Sequence, residues 1–372
     1  MNLATRIGSA LLVVLPFLLC DSAFAQHGIF MPPYLQAVTR SSIYVLVESS
    51  LGDTVVVDYG SGGYTSSAAT ESVEQTDQQT YVHNVRLAGL VPNTLYHYRA
   101  RQGTDSTNDA SFRTAVDPGT PFRFAWMADS RTGNLIHDLI ASRIEKADPA
   151  FSLYGGDISA NDRYSTYKLQ FFRPAELWLI SHVPFFNTPG NHEGWGTNTK
   201  AFTQAPSSAS GVQEYYSFEY GDMHVVVLNN EVRYDSGSPQ YNFVLNDLSS
   251  AKSTWKIVIS HRPAYCAGGH GEDSVMKVMT ANIFEPSGVD AVISGHTHFY
   301  QHNLVKGIHH LVLGSAGAPL YDPDSASYTV KSAKEYHFGI VDVSPTSFHL
   351  MVYTHQGAIL DSLFLQKLTL PR

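Results

Sequence analysis

The hydrophobic positions divide the chain into two parts with different periodicities. From about residue 27 to 116, short runs of β-branched and aromatic residues alternate with turns of Gly, Asp, Asn and Ser. This alternation is typical of the strands of a β-sandwich. The runs that we interpret as strands are 42–48, 54–59, 81–87, 95–101 and 111–114.

From Phe122 the pattern changes to apolar strands that alternate with amphipathic helices, which predicts an α/β sheet with helices on its faces. Helices are predicted over 134–146, 238–252 and 271–284, and strand signals return near 340–368. The apolar stripe predicted for the first helix consists of Leu135, Ile136, Leu139, Ile140 and Ile144. Because 117–121 is a rigid polar link, we predict domains over 27–116 and 122–368.

The first 25 residues have the composition of a signal peptide. Arg6 precedes an apolar core over 7–20, and Ala23-Phe24-Ala25 offers small residues at a cleavage site. The apolar run is shorter than the roughly 20 residues that a membrane anchor needs. We therefore expect an exported protein, periplasmic or secreted, with no membrane anchor after cleavage.

Charge and cysteine content narrow the function classes. Cleavage would remove one cation, Arg6, and one anion, Asp21, so the remaining chain would keep the formal charge of −9. Such a surface disfavours nucleic acid as a partner, and attraction for an anionic substrate would have to be local. Cys20 would also be lost, which leaves Cys266 alone and predicts no internal disulfide.

Potential metal ligands follow five apolar runs, each of which we interpret as a buried strand. The carboxyl ends of strands in an open α/β sheet are where ligands bind, so these residues should cluster in space. Carboxylate, amide and imidazole together suit Mn, Fe or Zn. These residues are Asp129, Asp157, Asn191, His261, and the pair His296 and His298.

Each of these residues alone has a simpler explanation. An Asp or His after a strand is more often a cap or a surface residue, and a His-x-His pair is weak evidence for a metal. Five such positions together favour a metal site. Gly156, Gly190 and Gly295 stand beside them and are expected to allow tight turns.

The same stretches resemble the five motifs of the calcineurin-like metallophosphoesterases. The motifs are Asp129, Gly156-Asp157, Gly190-Asn191-His192-Glu193, Val258-Ile259-Ser260-His261 and Gly295-His296-Thr297-His298. Together with the β-rich region in front, the chain resembles a purple acid phosphatase. Gly269-His270-Gly271 and Leu313-Gly314-Ser315-Ala316-Gly317 add to the likeness, and 90–96 resembles the tyrosine corner of a fibronectin type III domain.

The resemblance implies a two-domain fold: an all-β sandwich, fibronectin type III-like, followed by an α/β metallophosphoesterase sandwich of two central mixed sheets flanked by helices. It also implies two metal ions, divalent or of mixed valence, with Fe, Mn and Zn as the candidates. Asp157 would bridge them, with Asp129 and His298 on the first metal and with Asn191, His261 and His296 on the second. His192 would bind substrate or donate a proton, and His270 is a further candidate for the same face. Glu193 would either orient His192 or be an ordinary surface acid.

Two positions depart from the family patterns. Purple acid phosphatases carry a metal-binding tyrosine three residues after the bridging Asp, where this chain has Ala160. Other calcineurin-like enzymes carry a histidine two residues after the first Asp, where this chain has Arg131. We therefore predict no purple colour and weaker, exchangeable or water-rich binding of the first metal. The candidates to compensate are Tyr154, Asn161 and Asn134, whereas Arg131 would either contact substrate phosphate or form a structural salt bridge.

The expected function is hydrolysis of a small phosphate monoester by water that the two metals activate. A phosphodiesterase or nucleotide hydrolase with the same metals is the nearest alternative, and the motifs do not separate the two. A non-catalytic metal-binding relative is the alternative from another class.

Overall fold

The structure, a computed structural model, describes residues 28–367. The predicted signal peptide, Met1–Ala25, lies outside these residues, as does Cys20. Cys266 is a buried free thiol. Within the described range, none of the helices has the length and apolarity that crossing a membrane requires.

The N-terminal region consists of strands, as its sequence pattern predicts. They are β1 (Tyr34–Gln36), β2 (Ser42–Ser49), β3 (Val56–Gly60), β4 (Ser66–Ala69), β5 (Ser72–Gln75), β6 (Tyr81–Ala88), β7 (Leu95–Gln102), β8 (Asp105–Ser106) and β9 (Ala110–Arg113). The long strands β2, β6 and β7 were predicted to within two residues. The short strands β4 and β5 were missed because they are mostly exposed and rich in Ser, Ala and Glu, so they lack an apolar alternation.

The loop before β7 contains the predicted tyrosine corner. The Val91 amide donates to the Tyr96 hydroxyl at 3.0 Å, and the Thr114 hydroxyl donates to the Val91 carbonyl at 2.6 Å. These bonds tie the loop to the sandwich. They are consistent with the fibronectin-like reading of this region.

The C-terminal region alternates strands and helices. Its elements are β10 (Phe122–Met127), α1 (Asn134–Lys146), β11 (Phe151–Tyr154), α2 (Tyr164–Gln170), α3 (Pro174–Ile180), β12 (Phe185–Asn187), α4 (Thr197–Ala201), β13 (Tyr216–Tyr220), β14 (Met223–Val227), α5 (Pro239–Ser250), β15 (Trp255–Ser260), α6 (Ser274–Met279), a π-helical turn (Thr280–Phe284), α7 (Glu285–Ser287), β16 (Ala291–Ser294), β17 (Tyr300–Val305), β18 (Ile308–Leu313), β19 (Thr329–Ala333), β20 (His337–Val343), β21 (Ser347–Thr354) and β22 (Ile359–Gln366).

Helix α1 has the predicted bounds, but its predicted apolar stripe is partly wrong. Leu135 is 76% exposed and Leu139 is 50% exposed, whereas Ile140 and Ile144 are buried as predicted. The buried face includes His137 instead, whose Nε2 lies 3.2 Å from a carboxylate oxygen of Glu176 on α3. Because a polar residue beside a carboxylate of another helix takes a place on the buried face, hydrophobicity alone could not identify that face.

Two mixed sheets pack face to face and form the scaffold of the site. One sheet has the order β22-β21-β20-β10-β11-β12-β1-β2-β6-β5, and the other has the order β13-β14-β15-β16-β18-β17-β19. A single hydrophobic cluster, which includes Trp126 and Trp255, fills the space between them. The Trp126 ring N–H also donates to the Leu313 carbonyl at 3.0 Å and so links the sheets. The expected all-β region followed by an α/β sandwich is confirmed.

The ten-stranded sheet crosses the predicted domain boundary. Strand β1 pairs antiparallel with β2 and parallel with β12, with Gln36 opposite Phe185. The Tyr98 hydroxyl donates to the Ser181 carbonyl at 2.7 Å, and Lys168 pairs with the buried Glu48. The domain bounds 27–116 and 122–368 stay a prediction, but strands of the two regions pair with one another in the ten-stranded sheet.

Candidate metal centre

The topology brings the predicted ligands to one edge of the two sheets. Strands β10, β11 and β12 are parallel neighbours in one sheet, and β15 and β16 are parallel neighbours in the other. Each ligand-bearing loop leaves the carboxyl end of one of these strands, so the loops meet above the core. The structure brings together all six predicted ligands: Asp129, Asp157, Asn191, His261, His296 and His298.

Three of these residues adopt a backbone conformation that non-glycine residues rarely take. The φ angles are 57° at Asp129, 53° at Asp157 and 70° at His296. Such conformations cost of order 1–3 kcal/mol each and persist where surrounding structure imposes them. The loops impose it on one another, since the Asp129 amide donates to the Gly156 carbonyl at 2.9 Å and the Arg131 amide donates to the Asp157 carbonyl at 3.2 Å. Three of the predicted ligands are therefore held in strained backbone conformations by neighbouring loops.

Four donor groups surround what we call the second cation position: Asp157, Asn191, His261 and His296. The Nε2 atom of His261 lies 3.1 Å from Asn191 Oδ1, 3.2 Å from His296 Nδ1 and 3.5 Å from Asp157 Oδ1. Ligands about 2.0–2.2 Å from one ion in tetrahedral or octahedral geometry are separated by about 2.9–3.6 Å. The three distances from His261 Nε2 are therefore those expected between neighbouring ligands of one transition-metal ion.

The protonation of His261 supports the same fit. Its Nδ1 lies 2.8 Å from the Gly155 carbonyl and must donate to it, which leaves the Nε2 lone pair facing Asn191 Oδ1 and Asp157 Oδ1. Three electron-rich atoms at this spacing repel one another. A metal ion among them would relieve this repulsion, and an N–H donated by His296 Nδ1, 3.2 Å from His261 Nε2, would satisfy the lone pair without a metal.

Asp129, Asp157 and His298 surround the first cation position. One atom from each lies within 4.8 Å of the others, and all three residues are buried. His298 Nδ1 is 2.7 Å from the Pro319 carbonyl, so its Nε2 faces inward, 3.5 Å from Asp129 Oδ1. In the part of the chain that the structure describes, this Asp129 oxygen has no hydrogen-bond partner. These donors also suit a cation.

A guanidinium group lies among the donors of the first cation position. Arg131 Nε donates to Asp157 Oδ2 at 3.0 Å, and its Nη2 lies 3.4 Å from His298 Nε2. The Arg131 side chain is only 11% exposed. Of the two roles considered for Arg131, the salt bridge is present in the structure, and contact with substrate phosphate stays a prediction.

The proposed substrate-side histidines lie at the open face of the cluster. His192 is exposed, its Nε2 lies 3.8 Å from Asp157 Oδ2, and its Nδ1 lies 3.3 Å from the Ala160 carbonyl. The exposed His270 stacks on His296 with ring centroids 4.5 Å apart. The buried Glu193 carboxylate accepts a hydrogen bond from the Gly190 amide at 2.9 Å rather than bonding to His192. Glu193 therefore orders the loop that carries Asn191.

The residues proposed to complete the first metal site have partners elsewhere. The buried Tyr154 hydroxyl donates to Glu176, and Asn161 Oδ1 accepts from the Thr166 hydroxyl at 2.8 Å. The Asn134 amide nitrogen donates to the Leu169 carbonyl at 3.3 Å. These contacts do not direct any of the three side chains to the first cation position.

The glycines of the motifs act mainly by allowing close approach rather than by turning the chain. Of Gly156, Gly190 and Gly295, only Gly156, at φ 87°, has the left-handed conformation expected of a tight turn. A Cβ at Gly190 would lie 2.2 Å from Asp157 Oδ1, and one at Gly295 would lie 2.4 Å from Asp129 Oδ2. A larger residue at either position would displace a predicted ligand.

Sequence reasoning missed the segment that supports His298. Tyr321 stacks on the His298 ring with centroids 4.4 Å apart, next to the Pro319 carbonyl described above. The Ala318 amide donates to the Asp129 carbonyl at 2.8 Å, which joins this segment to the first loop. The motif that ends at Gly317 was noted, but its spacing alone did not indicate these contacts.

The electrostatics of the cluster favour charged carboxylate and neutral imidazole. Burial raises the pKa of Asp157, but His261, the His192 amide and Arg131 outweigh burial and lower this pKa below its usual value. Burial, followed by the neighbouring His261 and His270, lowers the pKa of His296 to about 2. An ionised carboxylate and a neutral imidazole are the forms that bind metals.

Comparison with known proteins agrees with the geometry. Residues 128–300 match the family model for calcineurin-like phosphoesterases, and 39–114 match the model for the N-terminal domain of purple acid phosphatases. Calcineurin-like enzymes use a dinuclear metal centre. In this chain, Asp129, Asp157 and His298 form a buried group that could hold a metal ion.

Individual relatives lead to the same family. Purple acid phosphatase 21 of Arabidopsis thaliana is 30% identical over 66% of this chain and 60% of its own length, and the probable purple acid phosphatase 20 is 29% identical over 69% and 64%. This chain thus spans under two thirds of the length of these relatives. A purple acid phosphatase from yellow lupin seeds has a TM-score of 0.79 at 18% identity, covering 90% of this chain and 74% of the lupin chain, and a structure titled PhoD has a TM-score of 0.68 at 12% identity, covering 92% and 94%. The resemblance inferred from the motifs is confirmed: the chain combines a calcineurin-like phosphoesterase domain with a purple acid phosphatase N-terminal domain.

Proposed function

We propose that this protein is an exported, metal-dependent hydrolase of small phosphate monoesters. The observation that carries the proposal is the second cation position, where His261 Nε2 lies 3.1–3.5 Å from three further donor atoms. The family match supports the phosphoesterase chemistry. The composition of the first 25 residues supports export, to the periplasm or to the exterior.

Each predicted ligand has a role in the proposed site. Asn191, His261 and His296 would hold the second cation, Asp129 and His298 face the first cation position, and Asp157 lies between the two. A bound cation from the group Fe, Mn and Zn would polarise the phosphate and lower the pKa of a nearby water molecule. The positive charge would also attract an anionic ester to a protein that is acidic overall.

The histidines at the open face would handle the proton. A donor bond from His192 Nδ1 to the Ala160 carbonyl leaves Nε2 facing the cluster, and in the imidazolium form Nε2 would carry the proton that passes to the leaving oxygen of the ester. Proton donation from a positioned side chain accelerates such reactions by roughly 10²- to 10⁴-fold. His270, stacked on His296, would contact the substrate from the neighbouring loop.

The first test compares p-nitrophenyl phosphate with bis-p-nitrophenyl phosphate, each with Mn²⁺, Zn²⁺, Fe²⁺ or Mg²⁺. We expect faster hydrolysis of the monoester with at least one of the first three metals. Faster hydrolysis of the diester would favour a phosphodiesterase. Bound metal without hydrolysis of either compound, or of nucleotides, would favour a non-catalytic relative.

A further inference from the structure

Arg131 separates this site from a symmetrical two-metal centre. We infer that its guanidinium group is the resident cation of the first cation position, and that the chain binds one metal ion, at the second. The inference rests on the proposed metal-dependent function, because it concerns the same site.

The contacts of the guanidinium involve the atoms that a first metal would need. Arg131 Nε donates to Asp157 Oδ2 at 3.0 Å, and Nη2 lies 3.4 Å from His298 Nε2. His298 donates its Nδ1–H to the Pro319 carbonyl, so its Nε2 lone pair faces Nη2. One lone pair cannot serve a metal ion and an N–H group at the same time. The guanidinium and a first metal are therefore competitors.

The positive charge of the guanidinium also disfavours a metal ion at the first cation position. Guanidinium stays protonated in proteins, and a divalent ion among these donors would lie close to it and be repelled. Asp129 Oδ1, which lacks a hydrogen-bond partner among the described residues, adds negative charge that favours a cation at this position. Arg131 supplies that cation from within the chain.

The backbone holds Arg131 in place. Its amide donates to the Asp157 carbonyl at 3.2 Å, and its own carbonyl accepts from the Gly133 amide at 2.9 Å. With 11% of its side chain exposed, Arg131 is enclosed by the site rather than extended into solvent. Arg131 is therefore a fixed part of the centre.

The chain also lacks both of the residues that would add a ligand to the first metal in the related families. Ala160 stands where a tyrosine would bind the first metal, and Arg131 itself stands where a histidine would. By contrast, the second position has four donor groups, and none of the described hydrogen bonds or ion pairs places a cationic side chain against three of them, Asn191, His261 and His296. The chain thus provides one complete metal site and one fixed positive charge.

The test measures metal content in the full-length protein and in Arg131→His. Metal-free protein would be loaded with Mn²⁺, freed of excess by gel filtration, and analysed by elemental analysis and electron paramagnetic resonance. We expect about one Mn²⁺ per chain and an isolated-ion spectrum for the wild type. For Arg131→His we expect about two per chain and a spectrum with coupling between the ions.

Two further variants serve as controls. Arg123→His removes a guanidinium that pairs with Asp342 away from the site and should keep one ion per chain. Arg131→Ala, which adds no new ligand, should still admit a second ion at higher Mn²⁺ concentration and serves if Arg131→His does not fold.

Each alternative outcome is decisive. Two ions per wild-type chain would overturn the inference, as would an unchanged count in both Arg131 variants or no bound metal at all. The monoester assay separates this from the proposed function. Hydrolysis by a wild-type chain that binds two ions would support the proposed function and contradict the inference about Arg131. One bound ion without hydrolysis would support the inference and contradict the proposed function.

Discussion

The two cation positions share Asp157, yet the chain treats them differently. At the second position, Asn191, His261 and His296 present donor atoms at the spacing of a metal coordination sphere. At the first position, a guanidinium already donates to Asp157 and lies beside His298. A chain can therefore have the ligand residues of a two-metal family without having two equivalent cation positions. One neighbouring residue, here Arg131, changes which group the donor atoms contact.

The largest effect should come from the residue that both positions share. Asp157→Asn removes the negative charge between them, and we expect monoester hydrolysis to fall by roughly 10³-fold with loss of bound metal. Initial rates and elemental analysis measure both quantities. Asp342→Asn, at a half-exposed carboxylate paired with Arg123, should retain both and is the matched control. Full activity in Asp157→Asn would contradict the shared role.

The second-largest effect should distinguish the two cation positions by their contribution to metal binding. His261→Ala should weaken metal binding by at least ~100-fold, since even outer-shell partners of ligands are worth ~10- to 100-fold. His298→Ala should change the affinity of the bound metal by less than ~10-fold, because its Nε2 faces a guanidinium rather than the ion. Competition with a fluorescent chelator gives both dissociation constants. Equal losses in the two variants would show that the positions are equivalent.

The smallest effect concerns the glycines behind each position. Gly190→Ala would place a Cβ against Asp157 Oδ1 on the second-position side, and Gly295→Ala would place one against Asp129 Oδ2. Both should lower the unfolding free energy by about 1–3 kcal/mol through overpacking. Gly190→Ala should also weaken metal binding because it displaces Asp157 directly. Gly295→Ala should weaken it less, since it reaches His296 through the 2.8 Å bond from the His296 amide to Asp129 Oδ2.

Thermal unfolding and the chelator competition measure these two properties. Gly62→Ala is the control, since a Cβ there meets nothing within 4 Å among the described atoms. If Gly190→Ala behaved like Gly62→Ala, the close approach at Asp157 would have no energetic consequence.

Much of this site was predictable because strand ends leave a strong signal. An apolar run followed by Asp129, Asp157 or His261 places each side chain at the carboxyl edge of a parallel strand, and such edges meet in space. The N-terminal strands were equally visible wherever they are long and half-buried. Patterns of this kind indicate which residues are buried and whether they repeat with the period of a strand or of a helix.

The remainder depended on contacts between distant residues. The sequence left two roles open for Arg131, and only the position of Asp157 Oδ2 distinguishes the salt bridge. The burial of His137 depends on Glu176 across a helix pair, and the support of His298 by Tyr321 depends on a loop. No local periodicity encodes a partner that lies elsewhere in the chain.

The pairing of β1 with β12 has a consequence for anyone who wishes to isolate the phosphoesterase region. Strand β12 has β11 on one side and β1 on the other. A fragment that began after the polar link would leave the backbone N–H and C=O groups of β12 unpaired at an open margin, and such margins recruit strands from other molecules. The N-terminal region therefore covers this edge of the sheet, and a shortened chain would need a substitute strand to stay monodisperse.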